Sequence, residues 1–275
     1  MSDNILRCSI KAVGGWGQNY TNWQELSELL TTGATAENTA SSPKPEIIPA
    51  NERRRAPLPV KLAVESSWQA TQSADLDPKD LACVFVSGLG DTQLTDYMCK
   101  VLATENMQLS PTKFHNSVHN AAAGYWTIST GCMKAANSVA GFNESVSLAI
   151  LEAVTQCVQE QAPVQITFYD APSSEILKPL LKNDQSFSAS LIIEPVLESN
   201  QTDSNLLEMQ VVSQATEWPE LDLETHLDTS YKQNPSARIL AVLNMLTKDS
   251  TDTVLLPLSA ETSLQLTLHN PKLVN

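Results

Sequence analysis

The sequence predicts an α/β layered fold, on three observations. Short apolar runs rich in β-branched residues alternate with longer segments of helical periodicity. The chain has 275 residues and 42% hydrophobic content, enough to bury one large core or two modest ones. No run of about eighteen apolar residues occurs, so the apolar segments build a core and no transmembrane helix is predicted.

The elements follow in order. Ile5 to Val13 alternates in part and runs into Gly14-Gly15, which predicts a strand closed by a turn. From about Thr32 to Pro59 the chain is rich in Thr, Ala, Ser and Pro, which predicts a surface excursion. Leu58 to Thr71, with Leu62, Val64 and Trp68, predicts an amphipathic helix. Cys83 to Ser87 is a buried strand stopped by Gly88-Leu89-Gly90-Asp91, and Gln93 to Glu105 is helical. Ser110-Pro111 opens an element running through His115 and Asn120 into the small residues Ala121 to Gly124. Met133 to Ala140 predicts a strand, Gly141-Phe142-Asn143 a turn, and Ser145 to Gln159 a long helix with Val146, Ala149, Ile150, Ala153, Val154 and Cys157 on its apolar faces. Strands follow at Val164 to Tyr169, Ala189 to Glu194 and Leu206 to Val212, then a helix from Arg238 to Lys248. Thr253 to Leu258 and Ser263 to His269 form a closing hairpin. No short internal repeat stands out.

Charge narrows the function. Lys plus Arg total 17 against 31 for Asp plus Glu, a net charge of −14. Such a surface repels phosphate backbones, so nucleic acid is not an expected partner. The one dense basic run is Arg53-Arg54-Arg55, with Lys61 beyond it, and reads as a charged solvated turn or as a local docking patch for an acidic carrier. Met1-Ser2-Asp3-Asn4 has no basic region with an apolar stretch behind it, which predicts no secretory signal and a cytoplasmic location.

The catalytic and binding motifs are weak. The five cysteines at 8, 83, 99, 132 and 157 contain no CxxC pair, so neither a zinc site nor a disulfide framework is predicted. Gly88-Leu89-Gly90 lacks the third glycine of a dinucleotide loop, because residue 93 is Gln. His115 and His119 stand four apart, a spacing that shares one helix face, without the acidic companion of a zinc protease motif. No GxSxG turn occurs. Cys132 follows Gly131 ahead of the strand and not at a helix start, which favours a structural thiol over a nucleophile. No cofactor and no metal are implied.

The stretch from Leu109 to Trp126, Leu-Ser-Pro-Thr-Lys-Phe-His-Asn-Ser-Val-His-Asn-Ala-Ala-Ala-Gly-Tyr-Trp, resembles the β-ketoacyl synthase family, with its Ser-Pro opening and its Asn followed by small residues and Gly. Val84 to Gly90 is similar to the strand and glycine loop of that fold, and Arg53 to Arg55 with the following helix and Phe187 to Glu194 fit it as well. The closest resemblance is to the short chain-length-factor-like subgroup of aryl polyene and related biosynthetic systems. It covers roughly residues 5 to 260, and only the block 84 to 170 is specific. The resemblance implies a thiolase-like layered α-β-α fold in one domain over residues 1–275. Residues 1–200 would form a complete first half and 201–275 a truncated remnant of the second.

Active members of that family carry a cysteine in a tight turn between an apolar strand and a buried helix, where the helix amino terminus favours a thiolate and backbone N–H groups hold an oxyanion. The matching turn is Gly141-Phe142-Asn143-Glu144-Ser145, and alignment through Glu152-Ala153 puts Asn143 at the nucleophile position. Asn forms no acyl thioester, and Phe142 and Glu144 are no better. The family's two catalytic histidines come from the second half, whereas His226 and His269 lie in no matching motif. The resemblance therefore implies a non-catalytic subunit that pairs with an active β-ketoacyl synthase, meets acyl carrier protein through the complex and helps wall the acyl tunnel. The implied interface is the strand containing Ala135, Ala136, Ser138, Val139 and Ala140, and the implied tunnel segment holds Phe114, His115 and Val118. The competing expectations are an acyl-transfer or decarboxylating enzyme using Cys132 or His115, and a carrier-docking module built on Arg53 to Arg55.

Overall fold

The computed structural model describes residues 5–34, 42–104, 108–196 and 205–270. One mixed sheet of eight strands runs through them in the order β3-β2-β4-β5-β1-β6-β8-β7. The strands are β1 (Leu6–Gly17), β2 (Ala82–Val86), β3 (Ala136–Val139), β4 (Val164–Asp170), β5 (Phe187–Pro195), β6 (Asn205–Val212), β7 (Asp252–Pro257) and β8 (Ser263–His269). β3 and β4 flank β2 in parallel, β5 returns antiparallel to β4, and β1, β6, β8 and β7 continue antiparallel beyond it.

Helices cover both faces of the parallel part, which is why β2 and β4 are buried along their whole length and read as continuous apolar runs. On one face, α3 (Leu58–Ala74) and α6 (Ala121–Thr130) enclose Cys83, Phe85 and Tyr169 with Val60, Leu62 and Trp126. On the other, α7 (Ser145–Glu160) covers Val84, Val86, Ile166 and Phe168, and α10 (Leu240–Leu246) extends the same cluster. The smaller helices are α1 (Trp23–Thr32), α2 (Ala50–Arg55), α4 (Thr92–Leu102), α5 (Pro111–His115), α8 (Lys178–Leu181) and α9 (Thr225–Gln233).

Four local expectations are corrected. Gly14 and Gly15 close no turn; they lie within β1 and pair with Ser190 and Ala189. Their small size serves packing, because a Cβ on Gly14 would sit 2.2 Å from the Ser66 carbonyl oxygen of α3. The region from Thr32 to Pro59 is not wholly loop: Ala50–Arg55 is a helix with the three arginines in its last turn, where cations face the carboxyl end of the dipole. The Arg238–Lys248 helix starts as a 3₁₀ turn at Pro235–Ile239 before α10, because Pro235 sets the first turn and Asn234 caps it. His115 and His119 do not share a helix, since α5 ends at His115.

One polar seam crosses the core. Ser67 of α3 shares a hydrogen bond with Thr167 of β4 at 2.8 Å, and Thr167 another with Ser190 of β5 at 3.0 Å. Thr71 donates to Gln165 at 3.3 Å. Each buried hydroxyl thereby finds a partner and fixes the register of α3 on the sheet.

Candidate functional site

β2, β3 and β4 run parallel, so their carboxyl ends meet at one edge of the sheet. Ligand crevices of open α/β sheets form outside such ends. β3 leads there through Ala140 and Gly141 into a 3₁₀ turn, Phe142–Glu144, and directly on into α7. Gly141 packs closely here: a Cβ on it would lie 2.4 Å from the end of the Leu148 side chain. Phe142 takes the left-handed conformation, φ 51°, which costs roughly 1–2 kcal/mol for a residue with a Cβ. The turn is held by Ser145, whose buried hydroxyl accepts from the Gly141 N–H at 2.9 Å and donates to the Phe142 carbonyl at 2.8 Å.

This is a sharp strand-to-helix elbow, and its apex is Phe142, one residue before Asn143. Both side chains are exposed, and no cysteine, serine or histidine occupies positions 141 to 144. The left-handed backbone position is Phe142, the neighbour of Asn143. Neither side chain forms a covalent acyl intermediate.

The polar centre beneath the elbow was missed from sequence. Asp170, the last residue of β4, is fully buried. It accepts from the Ser87 hydroxyl at 2.6 Å, the Gly88 and Leu89 N–H groups at 3.2 and 3.0 Å, and the Ser236 N–H and hydroxyl at 3.2 and 2.7 Å. Burial pushes its carboxyl above the usual range, and these donors pull against that shift. Gly88 packs between the two features, since a Cβ there would meet the Phe142 carbonyl at 2.9 Å and Pro235 at 2.5 Å. The only sequence signal was an Asp ending a buried strand, the same signal a turn residue gives.

Two grooves share Val118, one beside the β2–α4 loop and one along α6. One, of about 480 Å³, is lined by Pro59, Val60, Leu89, Leu94, Val118 and Tyr169. The other, of about 500 Å³, is lined by His115, Val118, Tyr125 and Ile128 among others. Val118 borders both, His115 only the second, and His119 only the first. Phe114 of α5 is exposed and lines neither. Arg55 and Lys113 border a third groove of about 500 Å³ with Leu58 and Leu94.

Cys132 lies apart from these grooves, with its thiol donating to the Leu81 carbonyl at 3.3 Å. No group of three or more His, Cys, Asp or Glu side chains able to hold a metal occurs among the described residues. No helix there is long and apolar enough to cross a membrane.

β3 is one of the two edge strands of the sheet. Its Ala135 and Val139 carbonyls accept from the Cys83 and Ser87 N–H groups. By the alternation of a parallel ladder, the backbone groups of Ala136 and Ser138 face outward. Ala135, Ala136, Asn137 and Ala140 are exposed, and Met133 is 94% and Ile128 82% exposed beside them.

Comparison with known proteins agrees with this geometry. The chain is similar over 96% of its length to all of a chain in the ketosynthase (ApeO) complex with its chain length factor (ApeC) from Xenorhabdus doucetiae, at 17% identity and a TM-score of 0.71. The same share of the chain covers 99% of a chain in the ishigamide ketosynthase/chain length factor, at 12% identity and a TM-score of 0.68. It likewise covers 99% of a chain in AntDE:AntF, a type II polyketide synthase acyl-carrier protein in complex with its ketosynthase, at 12% identity and a TM-score of 0.70. A search of curated protein sequences matches nothing. The layered sheet, the elbow and these neighbours share the thiolase-like fold that the sequence predicts. Residues 22–256 match the profile of the β-ketoacyl synthase N-terminal domain, and the chain belongs to that family.

Proposed function

We propose that this chain is a non-catalytic, chain-length-factor-like subunit that pairs with an active β-ketoacyl-acyl carrier protein synthase. The observation that carries the reading is the elbow, which keeps the backbone of a nucleophile turn but carries Phe142-Asn143-Glu144 where a nucleophile is needed. A carbanion-forming condensation also needs basic or electrophilic partners, and no histidine adjoins the turn in sequence. The grooves bordered by His115 and Val118 supply the apolar wall along which an acyl chain of aryl polyene, polyketide or fatty-acid type is accommodated. Acyl carrier protein meets this subunit through the complex, in the cytoplasm.

The unpaired β3 edge supports strand addition across the heterodimer, with main-chain hydrogen bonds from Ala136 and Ser138 and apolar cover for Met133 and Ile128. The enzyme alternative has less support, because Cys132 lines none of the three grooves and so does not share a substrate site with His115, which borders one of them.

Ser138→Pro tests the pairing. The Ser138 N–H faces away from β2, so the variant keeps the β2 ladder and the native circular dichroism spectrum but loses the ketosynthase in co-expression and native mass spectrometry. Ser138→Ala keeps both. A heterodimer intact in the proline variant removes β3 from the interface. Condensation of acyl and malonyl groups by the purified chain alone, above a no-enzyme control, overturns the non-catalytic reading.

A further inference from the structure

Four cysteines are buried: Cys8 and Cys157 pack in the main core, and Cys83 and Cys132 form a pair that stands out. Cys83 of β2 and Cys132, just after α6, both donate their thiols to a single acceptor, the Leu81 carbonyl, at 3.4 and 3.3 Å. Two sulfurs anchored on one oxygen are near neighbours, close enough for each to shift the protonation of the other. The buried Trp126 indole N–H finds no full hydrogen bond and approaches the Cys83 sulfur. This is a built dithiol site, made from three separate segments.

We propose that Cys83 and Cys132 are a redox pair that peroxide closes into a disulfide, covalently joining β2 to the α6–β3 connection.

The two thiols are unequal in the way such a step requires. The Cys132 thiol is lowered to about 6, first by the Cys83 S–H; burial opposes this, the Lys134 N–H and charge add to the lowering, and Asp80 opposes. Cys83 is pushed well up by its bond to Cys132 and by burial. Cys132 is therefore the attacking thiolate and Cys83 the resolving thiol. Cys8 and Cys157, buried between β1 and α7, are instead raised, chiefly by burial, with Cys157 at about 12.

Access is limited but present. Cys132 is 4% exposed, while Gly131, Met133 and Lys134 around it are exposed, so the route suits a small oxidant. The Cys132 thiolate attacks one oxygen of hydrogen peroxide, the O–O bond breaks, and the departing hydroxide takes a proton to become water. The resulting sulfenic acid is attacked by the Cys83 sulfur, whose proton leaves with the hydroxyl as a second water. Two thiols and one peroxide thus give one disulfide and two waters, with two electrons passing to oxygen. A small thiol reductant reverses the bond by exchange.

The proposal does not rest on the partner-subunit reading, and peptide mapping tests it directly. The full chain is treated with hydrogen peroxide, unfolded, alkylated and digested under non-reducing conditions. The expected result is a linked Cys83–Cys132 peptide, loss of alkylation at both residues and recovery of both with dithiothreitol. Formation at pH 5 should be roughly tenfold slower than at pH 7, following the thiolate fraction of Cys132. Cys83→Ser, checked for folding by circular dichroism, should leave a sulfenic acid on Cys132 that dimedone traps. Both residues still alkylated after peroxide, or Cys132 driven to sulfinic acid while Cys83 stays a thiol, overturns the proposal.

Discussion

The ends of β3 and β4 lie at the same edge of one sheet and were built to opposite rules. β3 is short, an edge strand, partly exposed along its length, and it delivers Phe142 and Asn143 to solvent. β4 is central and wholly buried, and it delivers Asp170 into a nest of three backbone N–H groups and two hydroxyls. The elbow keeps a costly backbone shape without a reactive group. The Asp170 nest holds a reactive type of group and uses it to tie the β2–α4 loop, β4 and the 3₁₀ turn at Pro235–Ile239 together. The packing that positions the turn is the packing that holds the core, since Gly88 both donates to Asp170 and lies against the Phe142 carbonyl.

The largest test removes the anchor. Asp170→Ala takes the acceptor from the Gly88 and Leu89 N–H groups and from the Ser87 and Ser236 hydroxyls, and should cost about 3–5 kcal/mol in chemical denaturation, given the price of an unsatisfied buried donor. A loss under about 1 kcal/mol would show that water replaces the carboxylate. The same residue sets a pH dependence. Its folded-state carboxyl is raised, so its contribution is fully present below the ordinary carboxylate range and is lost as pH rises through the raised value. Asp170→Asn should remove that part of the slope of stability against pH, and an unchanged slope would assign it elsewhere.

A middle-sized effect tests whether the two strand ends are coupled. Gly88→Ala places a methyl group against both Pro235 and the Phe142 carbonyl. Overpacking of this kind costs about 1–3 kcal/mol, and under the proposed pairing ketosynthase binding should weaken with it if the elbow shifts. Lost stability with unchanged partner binding would separate the anchor from the interface. The smallest effect is at the apex. Phe142→Gly relieves the left-handed strain but adds unfolded-state entropy, leaving a net gain of about 0.5–1 kcal/mol. A clear loss in thermal melts would mean that the Phe142 ring, half-exposed in the single chain, packs on something in the preparation.

Much of the layered core was legible residue by residue. β2, β4 and β5 are covered on both faces, so burial forces continuous apolar runs, and α7 repeats its buried residues at helical spacing. The short helices α1 and α9 were not legible, because a polar segment of nine or ten residues gains its helicity from caps and neighbours: Asn22 and Gly33 close α1, and Glu224 caps α9. The Gly14-Gly15 pair misled for a related reason, since glycine marks a turn and a close helix contact alike.

By itself the sequence determined the strand and helix alternation, the family resemblance and the lack of a nucleophile at the elbow, all of which depend on residue identity within short windows. Only the tertiary structure decided which residue bears the left-handed backbone, because φ at Phe142 is imposed by Gly141, Ser145 and the packing of Gly88 rather than by Phe itself. It alone joined Asp170 to Ser87 and Ser236, which lie 83 and 66 residues away, and set Cys83 and Cys132 on one carbonyl. Contacts of that separation carry no local periodicity; they exist only once the sheet brings its strand ends to a common edge.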